Sequence, residues 1–284
     1  MPEEHEPQPV RTELWVAVGS VAAARAAQAA GAAQVWLDGI DCWQAAPPAL
    51  DDLPPGCWLR QPPTVATSPH LAAIGLPVVA GHVGTIRAAR AAGLPVQADQ
   101  HLNCFGIHCL AALAELGVAA AVISYECSCR EVAKVVRRRR PGLPRLGLTV
   151  HGRLPAMLTR QQHGVAPGDS RRLQAVPRDG GLPYELERRP GGQTVLWEAR
   201  RLMAPEPVQR TAGLVEGWVL ELADCTAVEV GLVTAAYRRL SAGAISPADL
   251  PQALAEAAPR ASFAGHLHRG SRALDDVRDE MQAV

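Results

Sequence analysis

One stretch of the sequence, residues 94–160, constrains the fold most, because an apolar strand, a polar turn and a helix follow one another there repeatedly. The apolar runs 94–98, 118–124 and 146–150 each lead directly into polar residues that can bind ligands. In parallel α/β folds, the ends of the strands that lead into helices meet at one face, where active sites are built. The repeat therefore predicts a parallel sheet with its candidate functional residues at one end.

The same alternation occurs on both sides of this stretch. A strand over 13–18, an Ala-rich helix and a strand over 34–37 open the chain, and a strand over 216–222 precedes a helix over 228–240. Seven or eight strands in 284 residues predict an α/β fold of the (β/α)8 TIM-like barrel type, complete or incomplete. An open doubly wound sheet is the alternative, but the sequence contains neither a Gly-x-Gly-x-x-Gly nor a Walker pattern to support it.

Two segments interrupt the alternation. Residues 1–11 are polar and Pro-rich and predict a disordered lead-in to a single domain over 12–284. Residues 161–192, rich in Gly, Pro, Arg and Asp, are too long for an ordinary connection and predict an irregular excursion that follows a Gly-Arg-Leu-Pro turn. Near its end, residues 184–187 and 193–197 are able to pair as a hairpin.

Composition limits the class of protein. Hydrophobic residues make up 48% of the chain, enough for a sizeable core. The formal net charge is zero, which argues against nucleic acid as a partner. The sequence has no apolar run of membrane-spanning length and no signal-peptide pattern, so we expect a cytoplasmic protein. In a reducing compartment its 7 cysteines are expected to be thiols or metal ligands rather than disulfides.

The cysteines share a position relative to the predicted strands. Five of them directly follow a strand, namely Cys42, Cys104, Cys127, Cys129 and Cys225, and Cys109 lies about one helical turn beyond Cys104. In a barrel they gather near the C-terminal rim, where thiolates are able to bind iron–sulfur clusters or zinc. The alternative is that each is a small buried hydrophobic residue.

Other side chains after the strands are candidates for catalysis. Glu126 is placed to orient a substrate or to act as acid–base, or else to serve as a carboxylate at a helix N-terminus. His101 and His151 are each a candidate ligand or base, or a hydrogen-bonded structural histidine. Arg153, in the predicted turn, is placed to bind an anionic substrate or to form a surface ion pair. We predict Glu126, Arg153 and His101 as catalytic residues.

The central stretch also resembles a known family. "QADQHLNCFGIHCLAALAELGVAAAVISYECSCREV" followed by "VHGRLPAMLTR" is similar to peptidase family U-32, and within it to the UbiV branch, which works with UbiU in oxygen-independent ubiquinone hydroxylation. The Leu-Asn-Cys-aromatic run, the strand that ends in a glutamate and the Gly-x-Leu-Pro segment carry the similarity. It extends to "ELWVAVGSVAAARAAQAAGAAQVWLDGIDC" at the start of the chain.

The resemblance implies a role and a partner. We expect a divergent protein that assists the oxygen-independent hydroxylation of a ubiquinone precursor, with a UbiU-like partner and a small aromatic or quinone-type substrate. One alternative is a non-catalytic binding or scaffold subunit that has lost its cluster. Another is a peptidase, although the sequence contains no His-Glu-x-x-His motif and no visible Ser-His-Asp arrangement.

The resemblance also implies an iron–sulfur cluster that this chain is poorly equipped to hold. UbiV-like proteins are thought to bind theirs with four cysteines, and Cys42 matches the first of these. Gln162 stands at the second position, and residues 170–181 contain no cysteine where the last two are expected. A replacement set of Cys42, Cys104, Cys127 and Cys129 would restore four thiolates, with Cys109 as an alternative member. Otherwise we expect the cysteines to be buried singly.

Overall fold

The computed structural model describes residues 9–38, 52–61, 71–161, 173–175, 184–189, 193–255 and 262–267. The strands in chain order are β1 Glu13–Val18, β2 Gln34–Asp38, β3 Cys57–Gln61, β4 Val78–Ala80, β5 Val96–Ala98, β6 Ala120–Ile123, β7 Arg145–Thr159, β8 Leu173–Ala175, β9 Tyr184–Arg189, β10 Gln193–Met203, β11 Gly217–Leu222 and β12 Ser262–Phe263. Strands β1 to β7 pair in parallel in sequence order. Strand β11 pairs in parallel with both β7 and β1 and closes the ring. The predicted barrel is confirmed, and its ring is complete.

Helices connect the strands of the ring. In chain order the described helices are α1 Val21–Ala29, α2 Leu71–Ile74, α3 Val83–Ala91, α4 Ile107–Glu115, α5 Cys129–Arg138, α6 Pro205–Gln209, α7 Ala227–Ser241 and α8 Leu250–Leu254. Side chains that accept from free backbone N–H groups start several of them, as Ser20 does for α1 and the Ser128–Glu131 capping box does for α5. Among the described helices, none has the length and apolar character needed to cross a membrane.

The lower part of the barrel interior is filled by alternate residues of its strands. An apolar cluster separate from the outer core consists of Trp15, Ala17, Trp36, Val79, Ala120, Val122 and Val219. A Cβ added to Gly147 or Gly217 would lie 2.5 or 2.3 Å from the Trp15 ring, so these two glycines make room for that side chain. Because side chains alternate along a strand, the residues two positions further on, towards the C-terminal end of the barrel, also point inward.

Strand β7 is longer than the sequence predicts and carries a second sheet region. It continues through His151 and Gly152 to Thr159, and its far half pairs antiparallel with β10. The Gly-Arg-Leu-Pro segment is therefore part of a strand, and its prediction as a turn is wrong, because the backbone groups there find ladder partners on β10. The backbone at Gly152 requires a glycine, because its φ is +118° and a Cβ there would lie 2.0 Å from the carbonyl oxygen of Glu221.

The predicted hairpin is present beside this long strand. Strand β9 pairs antiparallel with β10 in a register that sets Gln193 opposite Arg189 and Trp197 opposite Glu185. Strand β8 then pairs with β9. The other residues predicted as an irregular excursion, apart from Gln161, lie outside the described residues. So does most of the predicted lead-in, although within it the Val10 amide donates to the Gly213 carbonyl.

Candidate functional site

A cleft of about 550 Å³ opens at the C-terminal end of the barrel. We call it the rim cleft; it is lined by Gly81, His82, Val83, His101, Leu102, Asn103, Tyr125, Glu126, Pro155, Ala156, Met157 and Leu158. These residues follow β4, β5 and β6 or belong to the far half of β7. The structure thus brings the candidate residues His101 and Glu126 into one cleft, at the barrel face where ligands usually bind.

A short turn places His101 in the cleft. Residues Gln100–Leu102 form one 3-10 turn directly after β5, and the Asp99 carboxylate accepts the Gln100 amide at 2.6 Å. Asn103 ends the turn in the left-handed conformation with φ +49°, which a short polar side chain tolerates better than most. The chain then forms a bridge from Cys104 to Ile123 of β6, which fixes the second end of the His101 turn to the barrel, while β5 holds its first end.

Glu126 lies in the turn between β6 and α5, and it does not cap that helix. Helix α5 begins at Cys129, and Glu131 supplies the carboxylate of its capping box by accepting the Ser128 amide at 2.7 Å. The N-terminal role considered for Glu126 is therefore filled by another residue. Next to it, the Tyr125 hydroxyl donates to the Pro155 carbonyl at 3.2 Å and ties this turn to the far half of β7.

Beside the cleft, at the mouth of the barrel, lies a buried polar cluster that we call the Arg60 network. The Arg60 guanidinium donates to Asp99 at 2.8 and 3.0 Å and to Glu221 at 2.6 and 2.9 Å. Gln100 donates to Glu221 at 3.1 Å and accepts from the Thr149 hydroxyl. The network links β3, β7 and β11 with the turn after β5, and Asp99 belongs to it and to the His101 turn alike.

Burial and charge shift the pKa values of Asp99 and Glu221, the two carboxyls of the Arg60 network, in opposite directions. Burial acts to raise the pKa of Asp99, but the charges of Arg60 and His101 outweigh it and hold that pKa below its usual range. For Glu221, burial outweighs the nearby Arg60, so its pKa is raised. As two interacting groups they titrate as a pair.

Sequence reasoning missed the Arg60 network. Arg60 and Glu221 each stand two positions beyond an inward-facing residue, which is Trp58 for Arg60 and Val219 for Glu221. A charged residue inside an apolar strand, as in "CWLRQ", was the available signal. A buried charge requires a partner, so this signal predicts that an opposite charge exists but does not identify it.

Arg153 lies away from the rim cleft. It stands on the far half of β7, where its side chain is only 7% exposed and forms an ion pair with Glu185 of β9. Its guanidinium carbon also lies 4.7 Å from the centroid of the Trp197 ring. The structure therefore places Arg153 in the packing of the β7–β10–β9 sheet, where its charge is already paired.

His151 is buried behind the barrel wall. Its ring lies 5.2 Å from the Tyr237 ring of α7, and neither ring nitrogen has a hydrogen-bond partner among the described residues. Burial, and then the charge of Arg201, lower the pKa of His151 to about 3, although the charge of Asp224 opposes this. His151 is therefore neutral at ordinary pH and does not line the cleft.

The described cysteines do not fit a four-thiolate cluster. Cys104 and Cys127 are buried in the hydrophobic core, and burial raises the pKa of each to about 12. The Cys129 thiol donates to the Pro207 carbonyl at 3.3 Å. Among the described residues, no group of three or more His, Cys, Asp or Glu is arranged to hold a metal ion. Cys42 lies outside the described residues, so its part in the predicted set stays a prediction.

The fold and the rim cleft define this chain as a (β/α)8-barrel protein with a ligand-sized cleft at the C-terminal face of its barrel. A scan of the sequence against models of protein families finds no match, and a search of curated proteins finds no similar chain.

Proposed function

We propose that this chain binds a neutral aromatic or quinone-type molecule in the rim cleft, as the substrate-binding component of an oxygen-independent hydroxylation system. The resemblance to the UbiV branch suggests a ubiquinone precursor as the substrate, a UbiU-like protein as the partner and the cytoplasm as the location. The observation that supports the proposal most is the lining of the rim cleft, which combines apolar surface with a few polar groups.

The apolar part of the lining suits a flat ring. Val83 and Met157 line the cleft and are 40% and 45% exposed, an unusual position for large apolar side chains that have no ligand to cover them. Leu102, Leu158 and the Tyr125 ring extend this surface. An aromatic or quinone ring that covers these side chains would remove apolar area from water, which favours binding by about 25 cal/mol for each Å².

The polar part of the lining suits a hydroxyl or carbonyl substituent rather than an anion. His101, Asn103 and Glu126 offer hydrogen-bonding groups on one side of the cleft. Among the described residues that line it, Glu126 is the one with a carboxyl group. A carboxylate or phosphate on the ligand would be repelled by the Glu126 carboxylate.

Direct binding measurements test this proposal. The purified protein is titrated with a short-chain ubiquinone analogue and with a simple phenol, by calorimetry. Saturable binding is expected, with at least a several-fold loss of affinity in His101→Ala. Leu232→Gln, an exposed change on α7 outside the cleft, is the matched control and should bind normally. The absence of saturable binding, or equal affinity in His101→Ala and the control, would contradict the proposal.

The arrangement of the described cysteines favours a second candidate within the same system, a binding subunit that holds no cluster of its own. Under this proposal the redox step belongs to the partner, and this chain presents the substrate. Protein purified without oxygen is then expected to lack stoichiometric iron and sulfide. A bound cluster that disappears in Cys42→Ala would restore the predicted cysteine set instead. The peptidase alternative stays a prediction, which a protease assay on unfolded substrates would test.

A further inference from the structure

Asn103, in the lining of the rim cleft, has a backbone conformation that this chain otherwise gives only to glycine. Among the described residues it is the one non-glycine residue with a positive φ, at +49°. Ten other described positions have a positive φ, and each of them is a glycine. Glycine adopts this conformation without steric cost, whereas a residue with a Cβ is strained there. The side chain at position 103 is therefore kept against a backbone preference for glycine.

The hydrogen bonds that hold this stretch of backbone do not explain the asparagine. The Asn103 amide donates to the Gln100 carbonyl at 3.1 Å and ends the 3-10 turn. On the other side, the Ser124 amide donates to the Cys104 carbonyl at 3.0 Å, beside the Cys104–Ile123 bridge. All of these contacts use main-chain atoms, which a glycine at position 103 would supply equally well.

The side chain of Asn103 makes no contribution of its own to the turn. An asparagine in such a position often bonds to nearby backbone groups. Within the part of the chain that the structure describes, the Asn103 carboxamide forms no hydrogen bond. Asn103 is exposed and lines the rim cleft. What asparagine provides there and glycine does not is a carboxamide that is available to a ligand.

We propose that Asn103 is a specificity-determining residue of the rim cleft, and that it recognises two oxygen substituents on neighbouring ring atoms, at least one of them a hydroxyl. A carboxamide holds an acceptor oxygen beside a nitrogen with two donors. The ligand hydroxyl donates to Oδ1, and the neighbouring hydroxyl or carbonyl oxygen accepts from the Nδ2 amide group. A ring with separated oxygens satisfies only one half of the carboxamide, and such a mismatch weakens binding.

The rigid surroundings of Asn103 favour this selectivity. The hydrogen bonds of Gln100 and Cys104 fix the backbone on either side, and the left-handed φ fixes the direction in which Cβ leaves it. Binding therefore requires little further ordering of the chain. A strained residue held in place by its neighbours is typical of binding sites, where the strain serves the ligand rather than the fold. Since this role rests on the proposed function, its test also measures whether a ring binds at all.

Two isomeric ligands test the role. Catechol carries its hydroxyls on neighbouring ring carbons, and resorcinol carries them one carbon further apart, so the two have the same composition. By calorimetry without oxygen, we expect the unaltered protein to bind catechol about tenfold more tightly than resorcinol. Leu232→Gln, the exposed control on α7, should keep this ratio. In Asn103→Gly the catechol affinity should fall about tenfold, and the two isomers should bind equally.

Thermal unfolding separates this role from a structural one. Asn103→Gly removes the strained Cβ, so its unfolding midpoint should be the same as that of the unaltered protein or higher. Asn103→Ala keeps the Cβ and loses the carboxamide, so its midpoint should fall and its preference for catechol should disappear. A midpoint that falls in Asn103→Gly would show that asparagine serves the fold, and would overturn the proposal.

The binding results distinguish the failure of this role from the failure of the proposed function. If the unaltered protein binds both isomers equally, or if Asn103→Gly keeps the preference for catechol, Asn103 does not determine specificity, while the cleft still binds a ring. If neither isomer binds to the unaltered protein, the proposed function and the role of Asn103 are both wrong. The comparison of isomers on the unaltered protein gives this answer even if a variant does not fold.

Discussion

Arg60 and Glu221 are joined by two hydrogen bonds across the mouth of the barrel, Nη1 to Oε2 at 2.6 Å and Nη2 to Oε1 at 2.9 Å. They lie 161 positions apart in the chain, on strands β3 and β11, which are not neighbours in the ring. The same guanidinium also binds Asp99, at the start of the turn that carries His101. One buried cation therefore holds together the barrel mouth and one wall of the rim cleft.

Removing this cation should destabilise the protein strongly. In Arg60→Met two carboxyls stay buried without their partner, and breaking a buried pair in this way costs about 3–5 kcal/mol. The free energy of unfolding in urea measures the loss. Arg25→Met is the matched control, because Arg25 pairs with Asp52 at 3.9 Å on the exposed surface, where such pairs contribute about 0–1 kcal/mol. Equal losses in the two variants would show that the Arg60 network does not stabilise the fold.

Gly152 should tolerate no side chain. An added Cβ would lie 2.0 Å from the Glu221 carbonyl oxygen, and φ is +118°, so Gly152→Ala forces β7 and β11 apart as well as straining the backbone. Gly93→Ala is the control for backbone strain alone, because φ is +71° there and no atom lies within 4 Å of the added Cβ. We expect the control to lose about 1–2 kcal/mol of unfolding free energy, and Gly152→Ala to lose at least about 1–3 kcal/mol more. Losses of similar size would mean that the close approach is relieved without cost.

The sequence predicted the barrel because its signals for strands and helices are local and repeat. The Arg60 network could not be predicted in the same way, since nothing near Arg60 in the chain identifies Glu221 as its partner. In the segment that contains Gly152 and Pro155, local signals in the sequence led to a wrong prediction. Its glycine and proline are ordinary turn signals, but pairing with the distant strand β10 overrides them. The role of Glu131 could be predicted from the sequence, because Ser128 and Glu131 have the spacing of a capping box. That prediction assigns the carboxylate at the N-terminus of α5 to Glu131 and not to Glu126.

His151 should make the stability depend on pH in acid. Its pKa is lowered to about 3 in the folded protein from an ordinary value of 6.5, so the unfolded chain binds the proton more readily than the folded one. The contribution of neutral His151 to the free energy of unfolding is complete above pH 6.5. It is lost as the pH falls towards 3, at up to about 1.4 kcal/mol per pH unit. In His151→Phe, which keeps a ring against Tyr237, the unfolding free energy should fall less steeply over this window. Parallel curves for the two proteins would exclude His151 as the source of the acid sensitivity.

Glu126 should decide which charge on a ligand the rim cleft accepts. It is the one acidic side chain among the described lining residues, and at the dielectric of a protein surface a second carboxylate about 5 Å away is repelled by roughly 3 kcal/mol before screening by salt. We therefore expect a benzoate to bind more weakly than the phenol of the same ring. In Glu126→Gln the benzoate affinity should rise about tenfold, equivalent to about 1.4 kcal/mol, while the phenol affinity changes little, since the amide keeps a hydrogen-bonding group in place. Glu115→Gln, an exposed change outside the cleft lining, alters the net charge equally and should leave both affinities unchanged.

Two outcomes would contradict these expectations. If Glu126→Gln binds phenol but binds benzoate as weakly as the unaltered protein does, shape rather than charge excludes the anion. If the unaltered protein binds neither ligand, the proposed substrate class itself is wrong.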